Sequence, residues 1–332
     1  MSKAYRHHTS ACSALLLLAV LASPSPALAQ QDYPSRQIKV VVPFLAGGAV
    51  DVVVRLVFNR ISERWNQTIV VENRPGAGGN LGADMVAKSE PDGYTLLATP
   101  PSVLVINQYL YDKMPFDPAE AFAPVSLIGL LPNVLVVGPS VKATTLREWI
   151  DEAKQQPDKF SYASQGVGTT GHLTGAMLNV AAGLALRHIP YRGFPPALAD
   201  MISGRIDAMF IDTGNALPRV GKDNLRALGV STEERIGALP DVPTFREIGL
   251  PDVISTTWFA VMAPAKTSPE IRRKISDEIA RVTTLPDIKS TLNKLGVQIV
   301  GSTPEELQRW LGSENARWSQ TIRRANIKAE QQ

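Results

Sequence analysis

Two glycine loops hold most of the chemistry this sequence offers. In the first, Phe44 leads through Gly47 and Gly48 to Asp51; in the second, Ser164 leads through Gly168 to Thr169 and Thr170. Each loop follows a short apolar run and precedes a helical pattern. Free amides at a helix start, together with the helix dipole, make such a place a ready site for an anion. A glycine loop before a helix also serves a plain turn, and both roles are open for each loop. Asp51 either caps the first helix or meets an amine or hydroxyl of a ligand. Thr169 and Thr170 either cap their helix or donate a hydroxyl to a carboxylate. Asp212, after the apolar Met209-Phe-Ile, stands either at a cleft or in a turn. His172 falls in a first helical turn, where the dipole disfavours an imidazolium, so a neutral structural ring is expected.

Enzyme signatures are missing at the places that would define them. Tyr162-Ala-Ser164-Gln-Gly166 has the serine of a nucleophile elbow but a tyrosine in place of its first glycine. Arg74-Pro-Gly76-Ala-Gly78-Gly79-Asn-Leu81-Gly82 follows a strand as a dinucleotide loop does, yet its third glycine comes one residue late. Of four histidines, His7 and His8 lie near the start. Neither His172 nor His188 has a second ligand at metal spacing, so neither a metal nor a cofactor is expected.

The elements that must position these loops form an α/β pattern, expected to be built on mostly parallel sheets. Strands are predicted over 38–43, 68–73, 94–99, 134–137, 161–164, 186–191, 208–211, 226–230 and 258–263. Helices are predicted over 51–65, after the loop at 74–79, over 170–182 and from Pro269. Thr145 with Glu148, and Thr303 with Glu306, form capping boxes that open two more. No linker rich in glycine and serine is present. The chain is therefore expected to cross between two domains on strands, near 126–136 and 255–263. That gives one discontinuous domain, 30–130 plus 256–332, and one continuous domain, 131–255, with the ligand in the cleft between them.

Residues 1–29 have the order of a secretory signal: Lys3 and Arg6, an apolar run around Leu15 to Leu18, then Ala27-Leu-Ala29. Cleavage there would remove Cys12, the sole cysteine, and leave a mature chain without disulfides. About 300 residues bury enough surface to fold without them. The net charge of +3 falls to about +1 once the leader's two basic residues are gone. With no basic block in the chain, a nucleic-acid or anionic-membrane surface is not expected.

Several strings together carry a resemblance. They are Val41-Val-Pro-Phe44 with Gly47, Gly48 and Asp51, and Val71-Glu-Asn-Arg-Pro-Gly-Ala-Gly-Gly-Asn80. Further on come Pro91-Asp-Gly-Tyr-Thr95, Gly168-Thr-Thr-Gly-His172, Ile189-Pro-Tyr191 and Leu239-Pro-Asp-Val-Pro-Thr244. From about residue 33 to 327 the chain resembles the tripartite tricarboxylate transporter receptors, or Bug family. The resemblance implies a two-domain, type II periplasmic-binding-protein fold with no enzymatic step. It implies capture of a small organic carboxylate, such as citrate, an acidic amino acid, nicotinate or an aromatic diacid. A monomeric periplasmic receptor would then hand that ligand to a two-component membrane permease. The loops at 44–51 and 164–170 would hold one carboxylate, largely through backbone amides and ordered water. The family pattern has threonine or serine where this chain has Val50, and Phe-Asp-Asn or Phe-Asp-Ser where this chain has Phe210-Ile211-Asp212.

The ligand residues expected are thus Phe44, Gly47, Gly48, Asp51, Ser102, Ser164, Gly168, Thr169, Thr170 and Asp212. The loops at 43–51, 98–108, 163–172 and 211–215 contain no lysine or arginine. An anion would be held there by amides and hydroxyls, Ser102 among them, with Arg192 the nearest basic residue. Val50 and Ile211, if they line the cleft, would favour an acid with a hydrocarbon body. Two other function classes fit the same residues: a periplasmic sensor that engages a membrane signalling partner, and a hydrolase using Ser164.

Overall fold

Runs of β-branched and aliphatic residues make the central strands, which are buried over most of their length, whereas the short strands Arg187–Pro190 and Gln298–Ile299 are not. The computed structural model describes Met1 and residues 33–157 and 159–327, so the expected secretory leader lies outside the described residues. The chain divides into two units, Met1–Ser35 and Arg36–Gln332, and every element below belongs to the second. In order these are β1 (Ile38–Val42), α1 (Ala49–Trp65), β2 (Ile69–Asn73), α2 (Asn80–Ala87), β3 (Thr95–Thr99), α3 (Pro118–Ala121), β4 (Phe122–Val137), α4 (Leu146–Gln155), β5 (Ser161–Ser164) and α5 (Thr170–Ala182). Then follow β6 (Arg187–Pro190), α6 (Phe194–Ile202), β7 (Ala208–Asp212), α7 (Thr213–Ala216), β8 (Arg226–Val230), β9 (Thr256–Pro264), α8 (Pro269–Thr283), α9 (Pro286–Lys294), β10 (Gln298–Ile299) and α10 (Pro304–Arg324).

The strands run in the order β2-β1-β3-β9-β4-β7-β5-β6, with β8 and β10 also paired to β4. The sheet is mixed rather than mostly parallel. β1 pairs in parallel with β2 and β3, as β5 does with β6 and β7, but every partner of β4 and β9 is antiparallel. β4 is the joint. Up to Pro132 it pairs with β9, and from Asn133 it pairs with β7, and from Val134 with β8. Its length exceeds the strand expected at 134–137. Pro124 and Pro132 break the sequence signal, and the ladder accommodates the first at an irregularity between Pro124 and Ser126.

Where β4 changes partners, the side chains are polar and buried. Asn133 Nδ2 donates to Ser255 Oγ at 2.9 Å, and Ser231 Oγ donates to Asn133 O at 3.0 Å or Ser255 O at 2.7 Å. Buried polar groups are costly unless paired, so this network fixes the register at the joint. On either side lie separate apolar clusters. One gathers Val41, Leu97, Trp258 and Trp318 around the first part of the sheet. There the buried Glu314 carboxylate accepts from the indoles of Trp258 and Trp318 at 2.7 and 3.1 Å and pairs with Arg317. The other part has two clusters, because β7 sends alternate residues to opposite faces. Phe210 packs with Tyr162 and Leu178 on one face, and Met209 and Ile211 pack with Phe194 and Met201 on the other.

Candidate functional site

The first loop ends at Gly48, which serves as the N-cap of α1 and offers no side-chain cap. The helix thus begins at Ala49, two residues before the expected start, and Asp51 lies inside its first turn instead of capping it. Its carboxylate bends back one residue beyond the cap: Oδ2 accepts from Gly47 N at 2.9 Å. Oδ1 accepts from Arg55 Nε at 2.9 Å and Asn73 Nδ2 at 3.0 Å. Asn73 Nδ2 also reaches Phe44 O at 3.0 Å, and Arg55 Nη2 reaches Asn73 Oδ1 at 2.7 Å. Asp51 is therefore a brace that fastens the loop to the end of β2. Gly47 takes φ of +82°, a left-handed conformation suited to glycine, and is exposed. The first-turn amides of α1 are left without a capping side chain.

The second loop is closed on itself. Thr169 is the N-cap of α5, its Oγ1 accepting from His172 N, and it also donates to Gly166 O at 2.8 Å. Gly168 N donates to His172 Nδ1 at 3.2 Å. Ser164 Oγ accepts from Gly166 N at 3.2 Å, lies 3.0 Å from Gly166 O, and stands 2.7 Å from His188 Nε2. The two imidazoles stack at 3.9 Å between centroids, 17° from parallel. Burial, and secondarily the charge of His188, pushes His172 down to about 3; burial pushes His188 down to about 4. Both rings are thus neutral near neutral pH.

That Ser164–His188 contact has the separation of a nucleophile and its base. Ser164, however, is fully buried. Among the described residues no carboxylate hydrogen-bonds to His188, so the group that would orient a catalytic imidazole is missing. Nor do three His, Cys, Asp or Glu side chains converge among the described residues as metal ligands would.

Against the start of α1 lies the short α7. Asp212 caps it, accepting from Asn215 N and Asn215 Nδ2, both at 3.0 Å. Burial pushes the Asp212 carboxyl up, against the pull of Asn215 and of the Arg219 charge. The two parts of the molecule meet closely here. A Cβ on Gly214 would lie 3.5 Å from Ala49 Cβ, and one on Gly168 would lie 2.9 Å from Leu110 Cδ1. A cavity of about 130 Å³ remains at the open end of α1, lined by Gly47, Ala49, Val52, Val53, Leu131, Gly214, Asn215, Arg219 and Leu295.

Of the expected ligand residues, Gly47 lines this cavity, while Gly48 and Asp51 adjoin it in the chain. Phe44 turns its ring toward Gly79. Thr170 does not cap; its Oγ1 lies 2.5 Å from Thr257 Oγ1, beside the joint in β4. Ser102, in a π-helical turn after β3, is buried with its Oγ unpartnered among the described residues. Ile211 belongs to the apolar core and Val50 is buried, so neither supplies the cavity wall expected of it. Val52, Val53, Leu131 and Leu295 do so instead. Arg192 is exposed and does not line the cavity, whereas Arg219 does.

The model of the tripartite tricarboxylate transporter family receptors matches residues 53–327. Protein BugT of Bordetella pertussis is 34% identical over 297 residues, covering 89% of this chain and 91% of BugT. An R. palustris protein solved with adipate superposes with a TM-score of 0.85 at 34% identity, over 90% of this chain and 99% of its own. MatC from Rhodopseudomonas palustris with bound malate gives 0.81 at 30%, over 87% and 100%. Solved relatives of this fold include periplasmic binding proteins, BugD among them. No helix among the described residues is long and apolar enough to cross a membrane. With the two-part α/β fold in place, the chain belongs to the tripartite tricarboxylate transporter receptor family.

Proposed function

We propose that this protein is a monomeric periplasmic receptor that captures a small organic carboxylate and delivers it to a two-component membrane permease, without an enzymatic step. The observation that carries the reading is the cavity at the uncapped start of α1, which draws Gly47 and Ala49 from one part of the fold and Gly214 and Asn215 from the other. A carboxylate there would accept charge-assisted hydrogen bonds from first-turn amides and gain from the helix dipole. Adipate and malate in the two related structures support this ligand class. The same site supports two lobes, 30–130 with 256–332 and 131–255, because β4 exchanges partners between Pro132 and Asn133. A ligand touching both lobes would favour their closed arrangement.

Thermal unfolding against a carboxylate library tests the reading. A ligand at a hundred times its dissociation constant stabilises the native state by about 2.7 kcal/mol. At least one small acid is expected to do so while its methyl ester does not. A library without a hit, or turnover of an ester panel, would overturn it. Loss of growth on the identified acid in a deletion strain separates uptake from sensing.

A further inference from the structure

Resting on that carboxylate-receptor reading, we propose that Arg219 receives a second anionic group of the ligand, so that the site is built for a dicarboxylate with a short apolar spacer. Among the described residues, Arg219 is the only charged one lining the cavity. Its Nη1 donates to Asn215 O at 2.8 Å, and its Cζ stands 4.7 Å over the ring of Phe194. Those two contacts fix the plane of the guanidinium and use one of its five donors. Among the described residues no carboxylate forms an ion pair with it: Asp212, the nearby acid, spends both oxygens on Asn215. A held, half-buried guanidinium without an acid partner suits a carboxylate, which it binds in a planar, two-point manner that lysine does not reproduce.

The rest of the lining fits such a ligand. Gly47 and Ala49 mark the open end of α1, where the first carboxylate would sit, and Arg219 follows α7 on the other side. The side chains of Val52, Val53, Leu131 and Leu295 supply apolar wall, suited to methylene groups between two acids. Hydroxyl-rich acids would find few partners along it.

Calorimetry on the purified protein decides the matter, using the diacids from succinate to pimelate, each against its own monoamide. The pairs match in length and differ by one charge. For the best-fitting length, the wild type should prefer the diacid by about tenfold to a hundredfold, the range of a charge-assisted hydrogen bond. Arg219→Gln should bring the ratio close to one, and Arg219→Met provides a second neutral variant with an unbranched stem. Arg192→Gln, in an exposed loop, should keep the full preference. A wild type that binds diacid and monoamide equally would leave the receptor reading standing and remove Arg219 from it. A preference that survives both neutral variants would do the same. If neither series binds the wild type, the carboxylate reading itself fails and this one with it.

Discussion

Around the start of α5 a side chain caps the helix; around the start of α1 none does, although Asp51 holds Gly47 N in the loop before it. Thr169 caps α5, Gly168 N is taken by His172 Nδ1, and Ser164 is held between Gly166 and His188. At α1 the cap is Gly48, without a side-chain acceptor, and Asp51 braces the loop from behind. The two segments look alike in sequence, each a strand, a glycine loop and a helix. One has used its donors within its own wall, and the other leaves its helix end uncapped, where the ligand is proposed to bind. The two loops thus differ at the helix end itself, capped by Thr169 in one and open in the other.

The sharpest way to break this contrast is to disturb the wall. Gly171 packs so tightly that a Cβ would stand 2.3 Å from Phe210 O, a backbone atom that cannot step aside. Gly171→Ala should lower stability in urea unfolding by about 1–3 kcal/mol or more. Gly48 has only Leu45 O at 3.8 Å and should accept alanine at little cost. Equal losses at the two glycines would mean that the loops do not differ in packing.

The second test uses pH. His172 and His188 titrate at about 3 and about 4 in the folded chain, below the ordinary histidine value of 6.5. Between those values the unfolded chain binds more protons, so stability rises with pH there and falls as pH drops below about 6.5. From pH 7 to pH 5 each ring should cost roughly 1–2 kcal/mol. Replacing both with glutamine should flatten the slope over that interval. A slope unchanged by the double variant would show that these rings are not the buried, neutral pair described here.

Much of the scaffold is legible in the residues. Thr145 with Glu148 and Thr303 with Glu306 form reciprocal capping boxes as their spacing predicts, and α5 and β8 have the expected bounds. Short-range chemistry decides such features. The helix opened by Gly193 and Phe194-Pro-Pro has no clear signal in the residues, because prolines that fit a first helical turn resemble a loop. The Ser164–His188 contact depends on which strand lies beside β5, and residue types do not tell that. Arg219 carries no spacing signal at all; only the packing of α7 against the start of α1 gives it a cavity to face. Val50 and Ile211 mislead for the opposite reason, since a cleft wall and a core position look the same in a strand or a first turn.

The smallest change in stability carries the most direct test. Gly48→Asp would give α1 the cap it lacks, raising stability by a few tenths of a kcal/mol. It would also put a carboxylate over the first-turn amides that the ligand is proposed to use. Calorimetric titration of this variant, with the acid that most stabilises the wild type, should show binding weakened at least about tenfold by competition for those charge-assisted bonds. Binding at wild-type strength, in a variant at least as stable as the wild type, would contradict the claim that the open end of α1 holds the ligand.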